Sequence, residues 1–239
     1  MKRALVFSGG GVFGAWQAGV WSGLRELEHG FEPDLIVGAS VGSLNGYAVA
    51  GGATPEDLCA FWRRPEVGRF RDLPKIIQEL MARYPLKKEY ALTLTDLAKL
   101  KPKVVRGEDV TWRHLAASCA IPGLLPQQRI DGRWYSDGGL LNPLPAWAAV
   151  DLGAECVVGV NALAEMPSSV LKPFVLGFRA AFGHHPAVPW NVRMVTIAPA
   201  AVLGSVSDAL RWKRENVDRW IQEGRAAAKN ISIPNCFSR

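Results

Sequence analysis

Apolar positions along this chain follow two rhythms. Short runs of consecutive apolar and β-branched residues predict strands at Arg3–Ser8, Asp34–Gly38, Cys156–Val160 and Arg193–Ile197. Between them, apolar residues recur at helical spacing. Trp16, Val20, Leu24 and Leu27 predict a helix over Gly14–Glu28, and the small residues from Ser43 to Ala50 predict a second. Thr54 as N-cap and Pro55 at the first helical position open a third, running to about Arg63. Further helices are expected at Leu73–Ala82, near Thr95–Leu100, and at Thr111–Cys119, the last stopping at Ile121-Pro122-Gly123. Arg129–Asp131 and Arg133–Tyr135, joined through Asp131-Gly132, read as a hairpin. Ser207–Asn230 reads as one long amphipathic closing helix with Leu210, Val217, Trp220 and Ile221 on one face. Strands alternating with helices predict an α/β fold of three layers around a mostly parallel central sheet. No repeat, low-complexity tract or linker divides the 239 residues, so residues 1–239 read as a single domain. Residues 64–110 are the least regular part and are expected to form a lid or cap.

Composition narrows the class. Hydrophobic residues at 49% and charged residues at 21% are ordinary globular values and exclude a disordered chain. Cys59, Cys119, Cys156 and Cys236 are scattered with no C-x-x-C, which argues against a zinc site and a disulfide scaffold and fits a reducing compartment. At least the first three read as small buried hydrophobes. Met1-Lys-Arg is basic, but Ala4–Phe7 is too short for the apolar region of a signal peptide. The uncharged stretch Leu35–Pro55 is interrupted by glycines, serines and an asparagine, so it reads as buried strand plus helix rather than a membrane span. A cytoplasmic protein, peripheral at most to a membrane, is expected. The net charge of +6 suits anionic partners, though the basic residues form no single block and no nucleic-acid partner is expected. They are densest from Arg63 to Arg71, continuing to Lys75, Arg83, Lys87 and Lys88. Solvated surface is the simpler reading of that zone, and an anionic lipid surface the sharper one. Trp62 lies beside it, and an indole next to arginines suits a lipid–water interface, so Trp62 and Arg63–Arg71 are the expected membrane contact. Most of the other eight tryptophans are expected in the core. Oligomeric state is left open.

Three motifs carry chemistry. Gly38-Ala39-Ser40-Val41-Gly42 lies between a predicted strand and a predicted helix, where a tight turn would push a serine up and out while flanking glycines remove Cβ clashes. Ser8-Gly9-Gly10-Gly11-Val12-Phe13-Gly14 lies between the first strand and first helix, and consecutive glycines there turn backbone N–H groups toward one point, as needed for an oxyanion or phosphate. The string also fits G-x-G-x-x-G, but a dinucleotide site needs an acidic residue at the C-terminal end of the second strand. Asp34 is at the other end, and Ser40 stands where the ribose carboxylate belongs. The third motif, Tyr135-Ser136-Asp137-Gly138-Gly139, is by itself an Asx turn. Read together, the motifs offer a nucleophile in Ser40, a base in Asp137 and a cradle at Gly9, Gly10 and Gly11. A carboxylate of ordinary pKa is a poor base for a hydroxyl, and burial in an apolar cleft would raise its proton affinity. His184 and His185 follow Asp137 in the Ser…Asp…His order of α/β-hydrolases, but those enzymes mount the serine after several strands and Ser40 follows the second. His184-His185 read instead as an exposed turn, His29 as the end of a helix and His114 as a helix residue, which leaves a dyad without histidine.

These residues resemble the patatin-like phospholipase family over nearly the full chain. Ser8–Gly14 looks like its glycine-rich oxyanion loop, Gly38–Ser43 like its nucleophile elbow and Asp137-Gly138-Gly139 like its Asp-Gly-Gly/Ala box. Ala117–Gly123, Pro126, Asp131-Gly132 and Asn142-Pro143-Leu144-Pro145 are similar to the stretches flanking that box. The resemblance implies a serine–aspartate dyad acting on lipid ester bonds, on an α/β fold related to cytosolic phospholipase A2, with a lipid or acyl ester as substrate and neither metal nor cofactor. Phe13 departs from the pattern, because the family usually carries Arg or Lys there. A soluble esterase or thioesterase, and a lipid-binding member without turnover, are the alternative readings.

Overall fold

The computed structural model describes residues 1–27, 31–165 and 187–231. β1 (Arg3–Phe7), β2 (Leu35–Ala39) and β7 (Cys156–Val160) are short and almost wholly buried, as parallel strands covered on both faces must be. β1 pairs in parallel with β2 and β7, β7 with β8 (Arg193–Ile197), and β2 with β3 (Glu89–Asp96). β4 (Lys101–Arg106) and β6 (Arg133–Ser136) both pair antiparallel with β3, and β5 (Gln128–Ile130) pairs antiparallel with β6. The result is an eight-stranded sheet of order β5-β6-β3-β2-β1-β7-β8, with β4 on β3.

Alternate residues feed two cores. Leu5, Phe7, Ile36, Leu92, Leu94 and Val158 belong to the larger one, which also takes α1 (Gly14–Arg25), α2 (Val41–Ala50), α3 (Pro55–Trp62), α4 (Leu73–Arg83) and α5 (Trp112–Ser118). Ala4, Val6, Leu35, Val37 and Val157 point to the other face, against α6 (Ala146–Asp151). The expected three-layer α/β arrangement with a mostly parallel sheet is the one observed. α7 (Val206–Leu210) and α8 (Arg214–Lys229) close the described chain. α8 packs on α1 at backbone distance: a Cβ at Gly19 would sit 2.1 Å from the Ile221 carbonyl, and one at Gly224 2.0 Å from that of Trp16.

Several sequence expectations need correction. The helix expected near Thr95–Leu100 is the end of β3 and the turn that leads into β4. Tyr90, Leu92 and Leu94 alternate with Ala91, Thr93 and Thr95 on the two faces of β3, but the lysines that follow mask that period. Residues 64–110 therefore divide: α4 lies over the larger core, while β3 and β4 belong to the sheet. The closing helix is two helices, because residues 211–213 unwind to place Trp212, whose Nε1 donates to the Trp62 carbonyl at 2.8 Å. Trp62 is no membrane anchor: it is 1% exposed and donates through Nε1 to Asn45 Oδ1 at 2.8 Å. In the neighbouring basic zone Arg63 pairs with Asp218, Arg64 with Glu79, and Arg69 and Arg71 with Asp72. Cys59 and Cys119 are free and buried, but Cys156 is disulfide-bonded, which scattered spacing could not reveal. Among the described residues no helix is long and apolar enough to cross a membrane.

Candidate active site

Ser40 caps β2 and starts α2 with φ 53° and ψ −133°, a backbone conformation that costs about 1–3 kcal/mol outside glycine. Two close approaches enforce the turn. A Cβ at Gly38 would lie 2.3 Å from the Gly42 carbonyl oxygen, and one at Gly42 would lie 2.3 Å from the Ser8 carbonyl oxygen. The G-x-S-x-G spacing is thus a packing requirement: the elbow folds onto itself and presses against the glycine loop.

Asp137 reaches the elbow through sheet register. β2 runs parallel to β3 and ends with Ala39 opposite Thr93. β6 runs the other way and ends with Ser136 opposite Thr95. The two strands therefore deliver their next residues to the same short segment of β3 from opposite directions. Ser40 Oγ donates to Asp137 Oδ2 at 2.6 Å, and Asp137 Oδ1 accepts from the Gly139 N–H at 2.7 Å. Thr95 Oγ1 donates to the Asp137 carbonyl at 2.8 Å. Ser40 is 4% and Asp137 6% exposed, so the pair sits in a largely dry environment, where a charge-assisted hydrogen bond is strong.

A residue with no role in the sequence reading joins these turns. Ser118, at the end of α5, accepts the Ser40 N–H on Oγ at 2.9 Å and donates to the Thr93 carbonyl at 3.0 Å. Its own carbonyl accepts the Gly138 N–H at 3.1 Å. The signal was present in Ala117–Gly123: a serine in the last helical turn, facing inward, has its hydroxyl free for another segment.

The glycine loop divides its donors. The Gly9 N–H is engaged by the Pro143 carbonyl at 2.9 Å, so Gly9 contributes close approach and no free donor. Among the described residues the N–H groups of Gly10 and Gly11 donate to no partner. Phe13 points away from the site: it is 1% exposed and meets Trp220 edge to face with centroids 5.0 Å apart. Over Ser40 lies an apolar cavity of about 40 Å³ walled by Val12, Leu44, Phe61, Val67, Leu73, Ile76, Ile121, Leu125 and Leu210 among others. Cys119 also lines it, but burial, assisted by the charge of Asp137, pushes its thiol far up, and it stays protonated. His114 is occupied at the first turn of α5, where its Nδ1 meets the Thr111 N–H at 3.1 Å. His29, His184 and His185 lie outside the described residues. Among the described residues no group of three or more His, Cys, Asp or Glu side chains could hold a metal ion.

Comparison with known proteins extends the site to a family. The patatin-like phospholipase family matches residues 5–150, from β1 to α6. A patatin-like phospholipase domain-containing protein of Caenorhabditis elegans is 30% identical in an alignment of 183 residues that covers 66% of this chain and 13% of that protein. A lysophospholipase of Aspergillus oryzae is 27% identical in an alignment of 184 residues that covers 66% of this chain and 11% of its own length. An uncharacterized NTE family protein of Mycobacterium bovis is 27% identical in an alignment of 186 residues that covers 67% of this chain and 49% of that one. The chain thus spans less than half the length of each of these relatives. The solved structure of VipD from Legionella pneumophila shares the fold, with a TM-score of 0.54 at 12% identity over 95% of this chain and 66% of that one. The matched span is more than half of the 239 residues and contains the glycine loop, the serine elbow and the carboxylate turn, so the chain belongs to the patatin-like phospholipase family.

Proposed function

We propose that the protein is a lipid acyl hydrolase of the phospholipase A or esterase type, working through Ser40 as nucleophile and Asp137 as base. The observation that carries this reading is the 2.6 Å hydrogen bond from Ser40 Oγ to Asp137 Oδ2. As Oγ attacks the acyl carbonyl, its proton passes along that bond to Asp137 and the carbonyl oxygen becomes an oxyanion. The N–H groups of Gly10 and Gly11, which donate to no partner among the described residues, are the donors for that oxygen, at the edge of the cavity that Gly11 and Ser40 share. The proton on Asp137 then goes to the departing alcohol, leaving an acyl-enzyme on Ser40. Asp137 next takes a proton from water, the water attacks the acyl group, and Ser40 is restored as the fatty acid leaves. The apolar walls beside the serine suit the acyl side of an ester, and a lysophospholipase among the relatives supports a lipid ester. The cap of the site is assigned to residues 65–83, which supply Val67, Leu73 and Ile76 to the cavity wall.

Ser40→Ala and Asp137→Asn should each lower ester hydrolysis by about a thousandfold or more while leaving the thermal melt near that of the wild type. A fluorophosphonate probe should label the wild type at Ser40 and leave Ser40→Ala unlabelled. Undiminished turnover by purified Asp137→Asn would end the dyad reading. Comparing vesicle phospholipid with short soluble esters decides between a lipid hydrolase and a soluble esterase.

A further inference from the structure

The cavity at Ser40 holds about 40 Å³, room for about one water molecule, and a fatty-acyl chain cannot lie inside it. A second, wider space adjoins it. A groove of about 300 Å³ runs between the first turn of α4 and the segment after α5, lined by Leu73, Pro74, Ala116, Leu124, Leu125 and Pro126. Leu73 and Leu125 wall both spaces. The remaining lining is Arg71 and Gln128, and the Arg71 guanidinium lies 3.7 Å from the Asp72 carboxylate, so the groove offers an apolar channel with a partly neutralised polar edge.

We infer that this groove is the acyl-chain subsite: the chain of an ester whose carbonyl lies at Ser40 passes between Leu73 and Leu125 and runs along Ala116, Leu124 and Pro126. The inference rests on the assignment of Ser40 as nucleophile and adds the route and the walls that set chain-length preference. A headgroup is the wrong occupant for a channel whose six apolar side chains outweigh Gln128 and an Arg71 partly neutralised by Asp72. An unbranched acyl chain matches it, because every methylene entering the groove leaves water, which multiplies affinity by about fourfold.

The test is kcat/KM for 4-nitrophenyl esters from butanoate to dodecanoate. In the wild type it should climb by about fourfold per methylene and level off once the groove is full. Ala116→Phe narrows the floor and should cut the dodecanoate-to-butanoate ratio by about tenfold or more. Should that variant fail to fold, Leu124→Gln, at a position 45% exposed, should cut the same ratio by about fivefold. A flat wild-type profile, or an unchanged ratio in folded variants, overturns the subsite. Binding of a fluorescent long-chain fatty acid to Ser40→Ala protein reads the groove without turnover. Weaker binding in the Leu124→Gln double variant supports the groove even if the wild type hydrolyses no ester. Unchanged or absent binding removes the groove and leaves Ser40 and Asp137 as they stand.

Discussion

Ser118 is the residue on which the two halves of the site depend together. It holds the Ser40 N–H with its hydroxyl and the Gly138 N–H with its carbonyl. Replacing it by alanine leaves the Ser40 N–H buried without an acceptor, a loss of about 1–3 kcal/mol, at a turn whose positive φ is already costly. The backbone can relieve this only by moving, and Ser40 Oγ moves with it. Ser118→Ala should therefore lower kcat by about 10- to 100-fold with little change in KM, and slow fluorophosphonate labelling in step. Ser118→Thr, which keeps the hydroxyl, should recover most of the loss. Wild-type kcat in folded Ser118→Ala would refute the positioning role. Ser40, Asp137 and the glycine loop stand out as candidates in the sequence because each motif carries its own chemistry, and the fold brings them together. Neither Ser118 nor the engagement of Gly9 by Pro143 stands out there, since both depend on which distant segments meet.

Among the elements, α5 matters most because it carries Ser118 at its C-terminal end. Its first turn is closed by Thr111 and His114, with the Thr111 N–H meeting His114 Nδ1 at 3.1 Å. Only a neutral imidazole offers that acceptor. Burial, and then the charge of Lys103, lower the His114 pKa, while Asp131 and Asp109 act in the opposite direction. With the folded value below the unfolded value of about 6.5, the stability from this cap is complete above that pH and is lost as pH falls through the folded value. Glutamine at the same position can close the box without titrating. Between pH 7 and pH 5, wild-type Tm should fall by about 2–4 °C more than that of His114→Gln, as expected for a cap of about 1 kcal/mol. Equal acid slopes would show that His114 does not titrate with folding. Most elements were legible from apolar spacing and caps, Thr54-Pro55 and the Asp131-Gly132 hairpin among them. β4 was not, because Lys101 and Lys103 alternate with Pro102 and Val104 on an edge strand, which polar residues suit as well as apolar ones. The break at residues 211–213 was not either, because helical spacing on its two sides conceals an indole drawn toward Trp62.

At the scale of the molecule, a chain of hydrogen bonds, buried from Trp62 inward, links the α7–α8 connection to the glycine loop. Trp212 Nε1 donates to the Trp62 carbonyl, Trp62 Nε1 to Asn45 Oδ1 at 2.8 Å, Asn45 Nδ2 to Gln17 Oε1 at 2.9 Å, and Gln17 Nε2 to the Ser8 carbonyl at 2.6 Å. The Ala162 N–H closes on Ser8 Oγ at 2.9 Å. Local composition placed Trp62 among arginines at a surface, but its partner Asn45 lies on another helix, and that tertiary pairing makes the indole a strut. In a dry interior each member polarises the next, and removing one strands its neighbours. Asn45→Leu keeps the shape of the side chain but leaves Trp62 Nε1 and Gln17 Oε1 without partners. It should cost about 2–5 kcal/mol, lowering Tm by about 5–15 °C. Trp62→Phe should cost less than the sum of its lost packing and lost bond once Asn45 is already leucine. A double-mutant cycle between the two should therefore show a coupling of about 1–2 kcal/mol in denaturant melts. Additive losses would mean that the chain is a row of independent bonds rather than one frame holding Ser8 and Gly9 in place.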